Sequence, residues 1–292
     1  MAQANSPGIL ITGATGNVGR ELAKALSAQG VRYRALVRTE STSNTLSRMA
    51  GAEIVTGDFN DELSIANALD GVDRAFLLTN SSEHAEALQL DFVDVATRRG
   101  VKNIVKLSQW AADPNSPVRF LRYHAAVEQK IRESGMDYTL LRPNLFMQGL
   151  LAFRDPIITQ GKFFGAAGDA KISAIDVRDI AAVAATALTT EGRAGETYNL
   201  TGPEALTHRA MAEKLSHALE RQVEYIDMPP EGMKEALISF GMSQWQADGL
   251  IEDYAHYRRG EASTVASGVE DATGMPPRSF DSFARDYAPA FS

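Results

Sequence analysis

The sequence predicts a Rossmann-type α/β fold, a doubly wound parallel sheet followed by a smaller, mostly helical C-terminal region, and three observations carry that expectation. The first is an apolar strand run, Ile9-Leu10-Ile11, that empties into Thr12-Gly13-Ala14-Thr15-Gly16-Asn17-Val18-Gly19. Its glycines fall at G-x-x-G-x-x-G spacing, and the residues from Val18 to Leu26 then take up a helical apolar period. The second is a further strand pattern over residues 33–38, at the distance that closes a strand-helix-strand unit. The third is that strand and helix patterns keep alternating to residue 142, for which right-handed crossovers leave little except a parallel sheet with helices on both faces.

In the glycine turn, Gly13 permits the tight reversal, Gly16 lets backbone N–H groups approach a pyrophosphate, and Gly19 lets the helix lie close to the strand. Gly13, Ala14, Thr15, Gly16, Asn17 and Val18 are therefore a candidate phosphate cradle at a helix N-terminus, where free N–H groups and the dipole favour an anion. Arg38 ends the second strand where an NAD-binding unit places an acid. A guanidinium there suits a 2′-phosphate, so NADP(H) is expected over NAD(H), with Glu40 weighing the other way.

Residues 39–50, rich in Ser, Thr and Asn, read as a loop leading into a short helix, and residues 52–58 as the third strand. Asp58 at its end either accepts from an adenine amino group or belongs to a turn, Asp58-Phe59-Asn60-Asp61, that caps a helix over 62–69. Strand four, 75–78, opens into Thr79 and Asn80 before a helix over 84–99, and strand five, 103–108, ends at Ser108-Gln109-Trp110. A helix over 120–135, closed by glycine, precedes strand six, 137–142, which runs into Pro143-Asn144-Leu145-Phe146. Ligands bind beyond the carboxyl ends of such strands, which groups Arg38, Asp58, Thr79, Asn80 and Ser108 with the glycine turn. Trp110, Phe146 and Met147 at strand ends either line a pocket for a planar molecule or fill the core. Lys106, inside strand five, requires an explanation, because a buried lysine is costly unless paired.

From residue 150 the character changes. Residues 163–168 read as a glycine-rich loop, 172–175 as a short strand, Asp176 as the cap of an alanine-rich helix to 188, and 197–200 as another strand. Helices are expected over 207–219, 231–240 and 243–258, and 260–274 reads as a mobile stretch. The division is a dinucleotide-binding domain over 1–150 and a substrate or lid region over 151–292, with 171–200 returning to the main sheet. Met233, Phe240, Met242, Trp245 and Tyr254 either give the lid an apolar substrate face or fill its own core.

The whole chain sets bounds. At 292 residues it buries a sizeable core without staples, and with no cysteine it forms no disulfide and offers no thiolate nucleophile, which suits a reducing cytoplasm. A net charge of −8 argues against a nucleic-acid partner, and no apolar run is long enough to span a membrane. The five histidines make no metal-ligand spacing with nearby acids, and a Gly-x-Ser-x-Gly elbow is absent, so neither a metal nor hydrolase chemistry is expected.

Taken with Leu36-Val37-Arg38, Gly57-Asp58, Leu107-Ser108, His124 with Glu128, and Leu140-Leu141-Arg142-Pro143-Asn144, the glycine motif resembles NmrA-like members of the atypical short-chain dehydrogenases/reductases. The pattern is close to bacterial NAD(P)H:quinone oxidoreductases and triphenylmethane-dye reductases, and it extends over essentially the whole chain. The usual short-chain dehydrogenases use a Tyr-x-x-x-Lys dyad to move a proton. The resemblance sets Phe120 where that tyrosine stands and His124 where the lysine stands; Tyr123, followed four residues on by Val127, does not restore the dyad. Ordinary alcohol or ketone chemistry is thereby placed in doubt. A quinone, azo or cationic dye acceptor is already electrophilic and takes its hydride from the nicotinamide, so the protein is expected to work by stacking and positioning a planar apolar acceptor. The resemblance implies His124 at the nicotinamide ribose, or relaying a proton as a neutral imidazole, with Tyr123 and Lys106 as reserve proton donors. Asn144 is expected to hold the nicotinamide amide through its backbone, or else to cap the next turn. The expected function is an NADPH-dependent reductase. The alternatives are an NADP(H)-sensing regulator acting through a protein partner, and an isomerase or tailoring enzyme; a homodimer is allowed for.

Overall fold

The computed structural model describes residues 8–39 and 45–292. Glu40, weighed above against Arg38, lies outside the described residues, as do residues 41–44 of the predicted loop. The strands are β1 (Ile9–Ile11), β2 (Tyr33–Val37), β3 (Ala52–Thr56), β4 (Arg74–Leu77), β5 (Asn103–Leu107), β6 (Asp137–Pro143), β7 (Lys162–Gly165), β8 (Glu196–Leu200) and β9 (Glu224–Asp227). The helices are α1 (Asn17–Ala28), α2 (Glu62–Ala68), α3 (Ala85–Arg98), α4 (Arg119–Glu133), α5 (Arg154–Gln160), α6 (Val177–Thr189), α7 (His208–Leu219), α8 (Pro230–Ser239), α9 (Gln244–Arg258), α10 (Gly268–Thr273) and α11 (Phe280–Tyr287).

Among the described residues, seven strands form one parallel sheet in the order β3-β2-β1-β4-β5-β6-β8. The chain winds outward from β1 to β3 and then crosses back to β4, so the strand order reverses between β1 and β4, the point at which such sheets open a crevice for ligand. Strands buried on both faces account for the unbroken apolar runs that marked them in the sequence. On one face Ile11, Tyr33, Phe76 and Leu141 meet Leu22 and Leu26 of α1 and Ile180 and Val183 of α6. On the other, Leu10, Leu77 and Ile104 meet Ile65 of α2, Phe92 of α3 and Val127 of α4.

The turn after β1 has the conformation its glycines predict. Gly13 sits at φ +62, and its carbonyl accepts from Gly16 N–H at 3.0 Å. A Cβ on Gly19 would stand 2.2 Å from that same carbonyl oxygen, so glycine is what lets α1 lie against the turn. Asp176 caps α6 as expected, and Asp61 caps α2 by accepting from Leu63 N–H and Ser64 N–H.

Three expectations change. Residues 163–165, read as loop because of their glycines, are β7, which pairs in parallel with β9. Residues 172–175 make isolated bridges to Leu206 and Phe146 and form no strand of their own. The stretch 260–274 is held to the body of the protein: Ser173 N–H and Asn144 Nδ2 both donate to the Ala262 carbonyl, at 3.0 and 2.9 Å, and α10 packs on β8. A Cβ on Gly268 would lie 2.3 Å from the Asn199 carbonyl oxygen, so this glycine serves close packing. Among the described residues no helix is long and apolar enough to cross a membrane.

Candidate active site

The carboxyl ends of β1 to β6 open into one cleft of about 1110 Å³, which α4 and α9 also line. At the switch point Thr12, fully buried, ties the two central strands together. Its Oγ1 accepts from Leu78 N–H at 2.8 Å and lies within 3.0 Å of the Phe76 and Leu78 carbonyl oxygens. Gly13, Thr15, Gly16, Asn17 and Val18 line the cleft, whereas the Ala14 side chain is in the core and reaches the cradle through its backbone alone. The N-cap of α1 is Gly16, which has no side chain to satisfy the first-turn N–H groups, so they are left for an anion entering the cleft.

Arg38, exposed at the end of β2, and Asp58, past the end of β3, line the same rim. Asp58 accepts from the backbone and side-chain N–H groups of Asn60, and these bonds, with Arg38 adding a weaker pull, hold its carboxyl below the usual range. A guanidinium and a preorganised acceptor at that rim fit the adenosine end of a nicotinamide dinucleotide. Thr79, Asn80 and Ser108 line the next section. Thr79 Oγ1 accepts from Gln89 Nε2 at 2.6 Å, and Ser108 Oγ donates to Glu128 at 2.6 Å.

Lys106 and His124 form a buried pair behind this wall. Lys106 is fully buried and does not line the cleft; its Nζ donates to the Leu107 carbonyl at 2.5 Å and lies 3.2 Å from His124 Nδ1. While Lys106 is protonated it has donors only, so His124 Nδ1 then accepts and the ring proton is on Nε2. Burial pulls Lys106 down to about 7, against the attraction of Glu128, and burial and then Lys106 hold His124 well below the usual histidine value. His124 therefore stays a neutral imidazole at pH 7, the form in which a relay was expected of it. Tyr123 packs beside it, the two rings tilted by 33° with centroids 4.1 Å apart. Its hydroxyl is 3.0 Å from Ser81 Oγ, and burial pushes it up to about 12.

Trp110 and Phe146 line the cleft. Met147 does not: it is buried against Leu150, Phe163 and Phe283, because the backbone after β6 turns it into the core of the small sheet. Asn144 spends its side chain on structure, donating to Ser173 Oγ and the Ala262 carbonyl and accepting from Leu145 N–H, and its backbone N–H donates to the Leu200 carbonyl at 3.0 Å, so its backbone carbonyl is what remains for a ligand.

The lid residues named for their apolarity are elsewhere. Met233 is buried, Phe240 is 91 % exposed, and Trp245 packs on Phe120 and Tyr123. The residues of α9 and its cap that line the cleft are Ser243, Gln246, Leu250, Asp253, His256 and Tyr257, a mostly polar set that apolarity does not mark. Spacing was the available signal: 243, 246, 250, 253 and 257 recur every three or four residues, which is one helix face. Gln246 Nε2 donates to the Ser81 carbonyl at 2.6 Å, and Arg119 pairs with Glu252 at 2.8 Å, so α9 is tied to the strand ends. Gly249 makes the approach possible, since a Cβ there would lie 2.3 Å from Phe120 Cζ.

The fold, the uncapped glycine turn and the long cleft define the class, a dinucleotide-binding protein on a Rossmann-type scaffold, and its relatives make it an NAD(P)H-dependent oxidoreductase. The sequence matches the NmrA-like family over residues 5–263, and the chain belongs to that family. It is 35% identical over 283 residues to an NAD(P)H azoreductase of Xenophilus azovorans, covering 97% of this chain and 99% of that one. The crystal structure of an NADPH-dependent quinone oxidoreductase of Escherichia coli complexed with NADPH superposes with a TM-score of 0.85 at 28% identity, over 95% of this chain and 99% of that one. The Citrobacter triphenylmethane reductase complexed with NADP(H) superposes at 0.81 with 26% identity, over 96% and 99%.

Proposed function

We propose that this protein reduces planar electrophilic acceptors, of the quinone, azo or dye kind, with hydride from NADPH. The observation that carries the reading is one continuous cleft. It runs from the glycine turn and Arg38 to a wall of Trp110, Tyr123 and Phe146, while α4 presents Phe120 and His124 in place of a tyrosine-lysine dyad.

In this reading the backbone of residues 13–18 holds the pyrophosphate, Arg38 the 2′-phosphate and Asp58 the adenine rim. Thr79, Asn80, Ser108 and His124 hold the ribose and nicotinamide side, with the Asn144 backbone facing the carboxamide. The bound nicotinamide supplies hydride. The residues of this chain stack the acceptor on it, keep His124 as a fixed donor and exclude water with α9.

Stopped-flow oxidation of bound NADPH with quinones, azo compounds and cationic dyes tests the proposal. Saturable turnover supports it; tight binding with no oxidation by any acceptor overturns it in favour of a sensor. Arg38→Asp should weaken NADPH by about 30-fold or more, since it replaces a charge-assisted contact of about 2 kcal/mol by a repulsion, and should leave NADH within about threefold. Titration by nicotinamide fluorescence measures both, and equal losses would remove Arg38 from that role.

A further inference from the structure

Helix α9 carries to the cleft a carboxyl that the roles above leave unused. Asp253 lines the cleft yet is only 5% exposed. Gln109 Nε2, from the loop after β5, donates to its two oxygens at 3.1 and 3.3 Å, and the Tyr257 hydroxyl is its other partner. Neither is a cation. Glu128, equally buried, shows the contrast, since it holds Arg142 and Arg132.

The groups facing Asp253 favour its neutral form. Glu252 of the same helix repels it, being itself committed to Arg119, and Tyr254, Tyr257 and, from α4, Tyr123 are neutral phenols. His256, next along the cleft, is held below the usual histidine value by burial, with its Nδ1 2.5 Å from Glu261. Burial above all, with Glu252, pushes the Asp253 carboxyl up to about 7 against the hydrogen bonds of Gln109 and Tyr257. The other titratable groups of this section are poorly placed for proton transfer: Tyr123 is too weak an acid, His124 is already neutral, and Lys106 does not reach the cleft.

We propose that Asp253 is a catalytic residue that protonates the reduced acceptor, and that the acceptors this site serves best are azo compounds and quinones, which gain a proton as well as hydride. The inference rests on the reductase reading above. With an azo compound, hydride adds to one nitrogen as the nicotinamide is oxidised by two electrons, leaving negative charge on the other nitrogen. The O–H bond of Asp253 breaks, an N–H bond forms, and the hydrazine leaves; solvent reprotonates the carboxylate. A quinone reaches its hydroquinone by the same count. A cationic triarylmethane dye takes hydride at carbon, becomes neutral and needs no proton.

Asp253→Asn, which keeps the shape, and Asp253→Glu, which keeps the acid, test this. The ratio of azo to cationic-dye reduction rates, each measured at saturating NADPH, should fall about 100-fold or more in the Asn variant, the scale of general-acid catalysis, and recover in part in the Glu variant. In the wild type that ratio should decline as pH rises through about 7, and in the Asn variant it should be flat. Independently of turnover, infrared difference spectra of the protein without acceptor should show a protonated carboxyl that ionises in the same range and is missing from the Asn variant. An unchanged ratio, or a carboxyl already ionised at pH 5, overturns the role of Asp253. NADPH oxidation by none of the acceptors in the wild type would instead remove the reductase reading, and this inference with it.

Discussion

Replacing Glu128 by alanine should lower the stability of this fold by about 3–5 kcal/mol, the cost of removing one partner from a buried ion pair. The carboxylate is fully buried and gathers three elements: it accepts from Ser108 at the end of β5, from Arg142 of β6 at 2.8 and 2.5 Å, and from Arg132 one turn along α4 at 3.0 Å. Alanine leaves the half-buried Arg142 guanidinium facing a void. For a chain of this size that loss corresponds to a melting temperature lower by roughly 10 °C. Burial pushes the Glu128 carboxyl up, but the hydrogen bonds of Arg142 and Ser108 outweigh it, so the folded value is below the unfolded one. The contribution is thus fully present above the usual glutamate value of about 4.3 and is lost as pH falls through the folded value. Melting curves of wild type and variant should converge in acid. Equal melting temperatures at pH 7 would show that the staple contributes nothing.

Lys106→Met should change stability in the opposite pH range. Folding pulls the lysine down to about 7, so between that value and its unfolded value near 10.5 the unfolded chain holds a proton that the folded chain has released. Stability conferred on the wild type relative to the methionine variant therefore rises with pH across this window, by roughly 4 kcal/mol, and is least below pH 7. Methionine fills the same slot without a charge to bury, so the variant should fold and be the more stable protein at pH 6. Urea titrations from pH 6 to 10 measure the difference, and a constant difference would mean that Lys106 stays charged in the core.

What could be read in the sequence was what repeats or stands at a fixed offset. The glycine turn, the strands of the main sheet, Arg38 at the end of β2 and the Asp176 cap each have a local pattern with one physical meaning. Asp253 has none: it reaches the cleft because α9 turns its polar stripe inward, and helical period alone does not say which stripe faces the ligand. Trp245 and Tyr254 are apolar by type, yet Trp245 packs against α4 and Tyr254 against the cluster of Ala167, Ile172 and Ala262. The segment 260–274 looked mobile by composition, whereas its order comes from residues far away in the chain, Asn144, Ser173 and Asn199, which no local pattern announces.

The contact between Phe120 and Gly249 limits what this site can accommodate. The resemblance sets Phe120 where related enzymes keep their tyrosine, and its ring meets Gly249 tip first, so the atom that would bear a hydroxyl already touches α9. A hydroxyl added at that atom, as in Phe120→Tyr, would meet the backbone of α9, which Arg119 and Gln246 tie in place. Restoring a tyrosine at this position therefore requires α9 to shift, whereas a carboxyl carried by α9 itself lines the cleft without that shift.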